Sequence, residues 1–299
     1  MDVGIAESAA QAASIAADLI QRAVRAKPEL VLGLATGSSP VGIYDELARR
    51  VNDGRISLAA ASAFMLDEYV GLSPDHPQAY RSVIDDIFTR KVDIDPARVH
   101  GPDGTAKDVE AACIEYEQAI RAAGGTDVQI LGIGTDGHIA FNEPTSSLAS
   151  RTRIKTLTKQ TRIDNSRFFG GDLDAVPSHC LTQGIGTIVE ARKIILIAAG
   201  RGKAEAIRQT VEGPVSARWP ATALQHHPDV TVLLDPAAAC RLDLADYYRE
   251  VWANKPAWQL PLGRPSARAE PTTRADVTGT CTDTAGMPPT LHHRGVDST

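Results

Sequence analysis

The chain has 299 residues, room for one or two domains at roughly 150 residues each. Its 31 Lys+Arg against 37 Asp+Glu give a net charge of −6, which argues against a nucleic-acid partner and leaves any anion site to be local. The four cysteines (Cys113, Cys180, Cys240, Cys281) form no CxxC pair, no run of 18 apolar residues occurs, and no basic-then-apolar leader opens the chain. A zinc knuckle, a membrane span and a secretory signal are therefore not expected, and a cytoplasmic protein is.

In chain order, Ala6 to Ala26 is Ala-rich with helical apolar spacing, and Glu29 to Leu34 reads as a buried strand. Ser39 to Val51 reads as a helix with Pro40 suited to its first turn. Ala60 to Leu66 is a predicted strand, Tyr80 to Arg90 and Ala106 to Ala123 are helices, and Val128 to Ile133 is a strand. Lys193 to Ala198 is a strand, Gly202 to Val211 a helix, Asp229 to Leu234 a strand and Leu242 to Trp252 a last helix. Strands apolar on both faces and separated by helices predict a three-layer α/β/α, Rossmann-like domain with a mostly parallel sheet. From Arg264 to Thr299 there are eight Thr, four basic and four acidic residues and almost no large apolar side chain. That segment cannot offset its ordering entropy, so residues 1–260 are expected to fold and 264–299 to form a disordered polar tail.

Ligands of such folds sit at the carboxyl ends of the strands, and three of those ends are polar, Gly-rich or acidic. The first is Thr36, Gly37, Ser38, Ser39, Pro40. Free backbone N–H groups and a helix dipole there suit a phosphate, with an ordinary Ser-capped turn as the plainer reading. The second is Asp67, Glu68, Tyr69. Two adjacent carboxylates are either solvated loop acids or a general base near a carbonyl carbon. The third runs from Gly132 to Pro144. Gly132, Gly134 and Gly137 match G-x-G-x-x-G in form, but Asn142, Glu143 and Pro144 should interrupt the required helix, which counts against a dinucleotide. His138 between Asp136 and Glu143 suits a proton shuttle near neutral pH, with a loop histidine among capping acids as the plainer reading, and no ligand spacing supports a metal there. The basic stretch around Arg151, Arg153, Lys155, Arg162 and Arg167 is either a solvated face or an anion site. Lys203 opens a helix at the same sheet edge and can reach a phosphate. His226 and His227 precede Pro228 and read as loop or core histidines.

The stretch from Gly134 to Thr158 (GTDGHIAFNEPTSSLASRTRIKTLT) resembles the glucosamine-6-phosphate deaminase family. Phe64 to Leu72, Asn165 to Phe169 and Leu181 to Thr187 match it too, and the likeness extends from Leu32 to His227. The resemblance implies conversion of glucosamine 6-phosphate and water to fructose 6-phosphate and ammonia, as in N-acetylglucosamine catabolism. It implies Asp67 as enolisation base and Asp136, His138 and Glu143 as the ring-opening group. The phosphate would be held by Gly37, Ser38 and Ser39 with Arg167 and Lys203. No metal or organic cofactor is implied. Ser146, Arg153 and Lys155 match residues that bind N-acetylglucosamine 6-phosphate as an activator in regulated members, which are homo-oligomers. The tail departs from the family, which usually ends near the position of Trp258.

Two rivals remain. A 6-phosphogluconolactonase shares the general fold and also needs a phosphate loop and a histidine base, but explains Asp67, Glu68 and the Phe141 to Pro144 stretch less well. A sugar-phosphate-sensing regulator would need a DNA-binding module, and only about 28 residues precede the first predicted strand, too few for one.

Overall fold

The computed structural model describes residues 1–256 and residue 259. The predicted tail over 264–299 lies outside the described residues.

Among the described residues ten strands and eight α-helices follow one another. The strands are β1 (Asp2–Ile5), β2 (Val31–Leu34), β3 (Ser62–Met65), β4 (Asp67–Tyr69), β5 (Val99–His100), β6 (Val128–Leu131), β7 (Arg153–Thr156), β8 (His179–Thr182), β9 (Lys193–Ala198) and β10 (Val230–Leu234). The helices are α1 (Ala9–Ala26), α2 (Ser38–Asn52), α3 (Tyr80–Ile87), α4 (Val109–Ala122), α5 (Lys159–Ser166), α6 (Ile185–Ile188), α7 (Ala204–Glu212) and α8 (Ala245–Ala253).

Seven strands form one parallel sheet in the order β1-β10-β9-β6-β2-β3-β5. Successive residues of each strand feed opposite cores. Ile195 and Ile197 pack with α1 and α2 through Ile20, Ile43 and Leu47. Ile194, Leu196 and Ala198 pack with α6 and α7 through Ile188 and Ile207. Further along that second face, Val31 and Phe64 meet Tyr116 and Ile120 of α4. Both faces are dry, so the strands need apolar residues at every position, and the three-layer expectation holds.

Several boundaries differ from the sequence reading. The N-terminal segment holds a strand, β1, which pairs with β10 in the register Asp2↔Thr231. The first helix then starts at Ala9, where Ser8 accepts a hydrogen bond from the Gln11 N–H. The predicted helix to Arg90 ends at Ile87 and is followed by a 3₁₀ turn. The last helix begins at Ala245, and its Trp252 lies against Gly4 of β1. Lys255 makes an ion pair with Asp2, drawing the end of α8 to the start of β1.

A second, antiparallel sheet of three strands, β4-β8-β7, was not foreseen. After β3 the chain leaves the main sheet at Leu66, whose N–H still donates to Leu34 O at 3.1 Å. The acids expected at a strand terminus instead begin β4, where Asp67, Glu68 and Tyr69 oppose Thr182, Leu181 and Cys180.

Candidate active site

All seven strands of the main sheet run the same way, so the segments following β2, β3, β6 and β9 emerge on one edge. The turn after β2 brings the chain to the N-terminus of α2. Gly37 there has φ +96°, the left-handed region open to glycine, and a Cβ on it would meet nothing within 4 Å. The hydroxyl of the buried Tyr44 fixes this turn by accepting from Ala35 N–H at 3.0 Å and donating to Ala35 O at 2.8 Å. Ser38 and Ser39 then open the helix. The segment after β6 lies beside it: a Cβ on Gly132 would sit 3.9 Å from Ser39 Cβ.

That segment carries Asp136 and His138. His138 Nδ1 is 2.7 Å from Asp136 Oδ1, an ion pair whenever the ring is protonated, and the His138 backbone N–H donates to the same oxygen at 3.2 Å. Burial alone would push Asp136 up, but the hydrogen bond and charge of His138 outweigh it and hold the carboxyl below its ordinary value. Gly134 lies flat against the imidazole, since a Cβ on it would fall 2.2 Å from His138 Cε1. Glu143 is buried and engaged elsewhere: its Oε1 accepts from Thr158 Oγ1 at 3.3 Å and from Thr161 Oγ1. Of the two carboxylates flanking His138 in sequence, Asp136 is the one the structure sets against the ring.

Asp67 is 5% exposed and Glu68 7%, so neither is a solvated loop acid. The two differ in how burial is compensated. Glu68 accepts from the N–H groups of Tyr69 (2.8 Å), Tyr80 (2.9 Å) and Arg81 (2.8 Å), capping α3. Burial raises the Glu68 carboxyl, and these amides oppose the rise. Asp67 is pushed well above the usual carboxylate range, first by burial and then by the charge of Glu68. The Cys180 thiol is also pushed up, by burial and then by the charges of Asp67 and Glu143.

The remaining predicted residues are placed more loosely. Lys203 closes a 3₁₀ turn, Arg201–Lys203, after β9 and stands at the same sheet edge as Gly37. Arg167 is exposed on the turn after α5, its guanidinium 4.7 Å from the Phe168 ring centroid; among the described residues no contact ties it to the α2 turn. Ser146 is buried with no hydrogen-bond partner for its hydroxyl. Arg153 and Lys155 alternate along β7 on the same side of the strand, and burial draws Arg153 below its ordinary value. Among the described residues no three His, Cys, Asp or Glu side chains gather to hold a metal ion.

Sequence reasoning missed Thr158 and Thr161 as partners of Glu143. It also missed Thr182 and Gln183, which join β8 to the segments carrying Asp67 and Glu143. A polar pair closing a strand was the available signal.

A family model for glucosamine-6-phosphate isomerases/6-phosphogluconolactonase matches residues 5–233. The chain belongs to this family. It is 67% identical over 259 residues to a glucosamine-6-phosphate deaminase of Beutenbergia cavernae, covering 87% of this chain and 99% of that one. The deaminase of Mycolicibacterium smegmatis is 66% identical over the same shares. Among solved structures, a monomeric glucosamine-6-phosphate deaminase superposes with a TM-score of 0.78 at 44% identity, covering 81% of this family member and all of that chain. The 6-phosphogluconolactonase of Leishmania guyanensis superposes with a TM-score of 0.61 at 24% identity over 79% of this chain and 97% of that one, a likeness of fold alone.

Proposed function

We propose that this family member is a glucosamine-6-phosphate deaminase, converting glucosamine 6-phosphate and water to fructose 6-phosphate and ammonia. The observation supporting it most is a desolvated carboxylate, Asp67, two residues beyond β3, with β3 next but one in the sheet to β6, the strand that precedes the Asp136–His138 couple. The relatives at 66–67% identity are named for this reaction, which favours it over the lactonase alternative.

The substrate phosphate docks on Gly37, Ser38 and Ser39 at the α2 N-terminus, with Lys203 and Arg167 adding positive charge. His138, held by Asp136, moves the proton that opens the pyranose, with Glu143 assisting. Asp67 takes the C2 proton, leaving an enolamine, and returns a proton to C1. Water then adds at C2 and ammonia departs, so the net change is isomerisation plus hydrolysis of one carbon–nitrogen bond. Burial and the neighbouring Glu68 charge raise the Asp67 carboxyl well above its ordinary value, which makes its carboxylate a stronger base for the C2 proton. Proximity supplies much of the remaining rate.

Three finer elements belong to the same reading. Residues 1–260 are the catalytic domain. N-acetylglucosamine 6-phosphate activates through Ser146, Arg153 and Lys155, a reading supported by the buried, unpartnered Ser146 hydroxyl and by the two cations that β7 carries. The active form is a cytoplasmic homo-oligomer serving N-acetylglucosamine breakdown.

One set of steady-state assays tests the reading. Ammonia release from glucosamine 6-phosphate, with and without N-acetylglucosamine 6-phosphate, is expected in both arms and faster in the second. Hydrolysis of 6-phosphogluconolactone in place of ammonia release would replace the deaminase reading with the lactonase one.

A further inference from the structure

We infer that Thr182, Gln183 and Asn142 form a positioning device that fixes the limb carrying His138 and Glu143 relative to the strand carrying Asp67. The inference rests on the deaminase reading above and adds residues that contact neither substrate nor reacting atoms.

His138 and Glu143 are separated by the tight turn Ile139–Asn142. Asn142 donates to Ile139 O through its N–H at 3.1 Å and through Nδ2 at 3.0 Å, closing the turn. Ala140 inside it has φ +51°, an unfavourable left-handed conformation for a residue with a Cβ. Such a turn persists only when its surroundings hold it. Two contacts, from the last residue of β8 and the residue after it, do so. The Phe141 N–H donates to Thr182 Oγ1 at 3.1 Å, and Asn142 Nδ2 donates to Gln183 O at 2.8 Å.

The same two residues hold the other limb. Thr182 stands opposite Asp67 in the β4–β8 register. Gln183 donates through its N–H to Leu66 O at 2.7 Å and through Nε2 to Met65 O at 2.9 Å. Thr182, Gln183 and Asn142 are each at most 1% exposed. One dipeptide thus grips Met65, Leu66 and Asp67 on one side and Phe141 and Asn142 on the other. Deamination needs the two limbs in register, because the open chain that His138 releases must present its C2 proton to Asp67.

The test compares two reactions of one enzyme. Ammonia release from glucosamine 6-phosphate uses both limbs. Exchange of a C1 proton of fructose 6-phosphate in D2O with ammonium present, followed by NMR, uses Asp67 without pyranose opening, because the furanose opens unaided in solution. Thr182→Val removes the acceptor for the Phe141 N–H at nearly constant shape. We expect deamination to fall about tenfold or more and exchange about twofold or less, so their ratio drops at least about fivefold. Thr182→Ser, which restores the hydroxyl, recovers most of that ratio. The ratio does not depend on the fraction of folded enzyme, so a purely structural role leaves it unchanged. An unchanged ratio in Thr182→Val overturns the inference; should that variant not fold, the same ratio in Asn142→Ser decides. A parent enzyme that performs neither reaction overturns the deaminase reading itself, whereas an active parent with an unchanged ratio overturns only the positioning role.

Discussion

The two sheets of this molecule are built from opposite kinds of sequence. Strands β2, β6, β9 and β10 are buried along most or all of their length and almost wholly apolar, so their contribution is burial and a common direction for the loops that follow. Strands β4, β7 and β8 carry Asp67, Glu68, Arg153, Lys155, His179 and Thr182, and β7 alternates between half-buried and exposed residues. The large sheet is a scaffold that tolerates any well-packed aliphatic set. The small sheet places the two acids of β4, Asp67 and Glu68, in dry surroundings, where position decides their chemistry.

Breaking the small sheet's chemistry should have the largest effect. Asp67→Asn is expected to lower ammonia release by about 10³-fold or more while substrate affinity, measured by calorimetry, changes little. Near-normal turnover would remove Asp67 from the reaction. The large sheet should respond in the opposite way. Arg50, 1% exposed between α1 and α2, pairs with Asp18 at 2.7 Å and Glu46 at 2.9 Å. Arg50→Ala strips a buried ion pair of one partner and should cost about 3–5 kcal/mol in chemical denaturation, with turnover per folded molecule preserved.

Between these extremes, Gly134→Ala forces a Cβ into the His138 ring. About a hundredfold loss of kcat is expected, with a melting temperature close to that of the parent, since displacement of one catalytic group by an ångström has that order of effect. A normal kcat would show that the ring finds another seat. The smallest effect is thermodynamic. Because the folded-state value of Asp67 is raised, the fold favours its protonated form. The stability this contributes is fully present below the unfolded carboxylate value of about 3.9 and is lost as pH rises through the folded value. Asp67→Asn should therefore melt higher than the parent at pH 8, and the gap should close toward pH 3. A gap independent of pH would mean that Asp67 is not the group titrating.

What was legible in the sequence divides along the same line. The strand Lys193–Ala198 is found at its predicted bounds, and β2, β6 and β10 lie within theirs, because doubly buried strands must be continuous apolar runs. The small sheet escaped because its strands are three or four residues long and polar, with partners more than 100 residues away across Asp67↔Thr182. The same holds within the site. Asp136 and His138 are neighbours in sequence and in space, so their contact was readable. Glu143 is a sequence neighbour of His138 too, yet its partners Thr158 and Thr161 come from the start of α5, a relation that only folding creates. Glu68, next to Asp67, proves to be the cap of α3, and no local signal separates a capping acid from a catalytic one.

The pairing of β1 with β10 has a consequence in time. Asp2 meets Thr231, so β1 has its one main-sheet neighbour among the described residues 229 residues further on. At about 5–20 residues per second, β1 waits on the order of 10–50 s before that neighbour is synthesised. The edge of the sheet is therefore the last part of the main layer to close during synthesis, and loop-closure entropy makes it a slow contact in refolding as well.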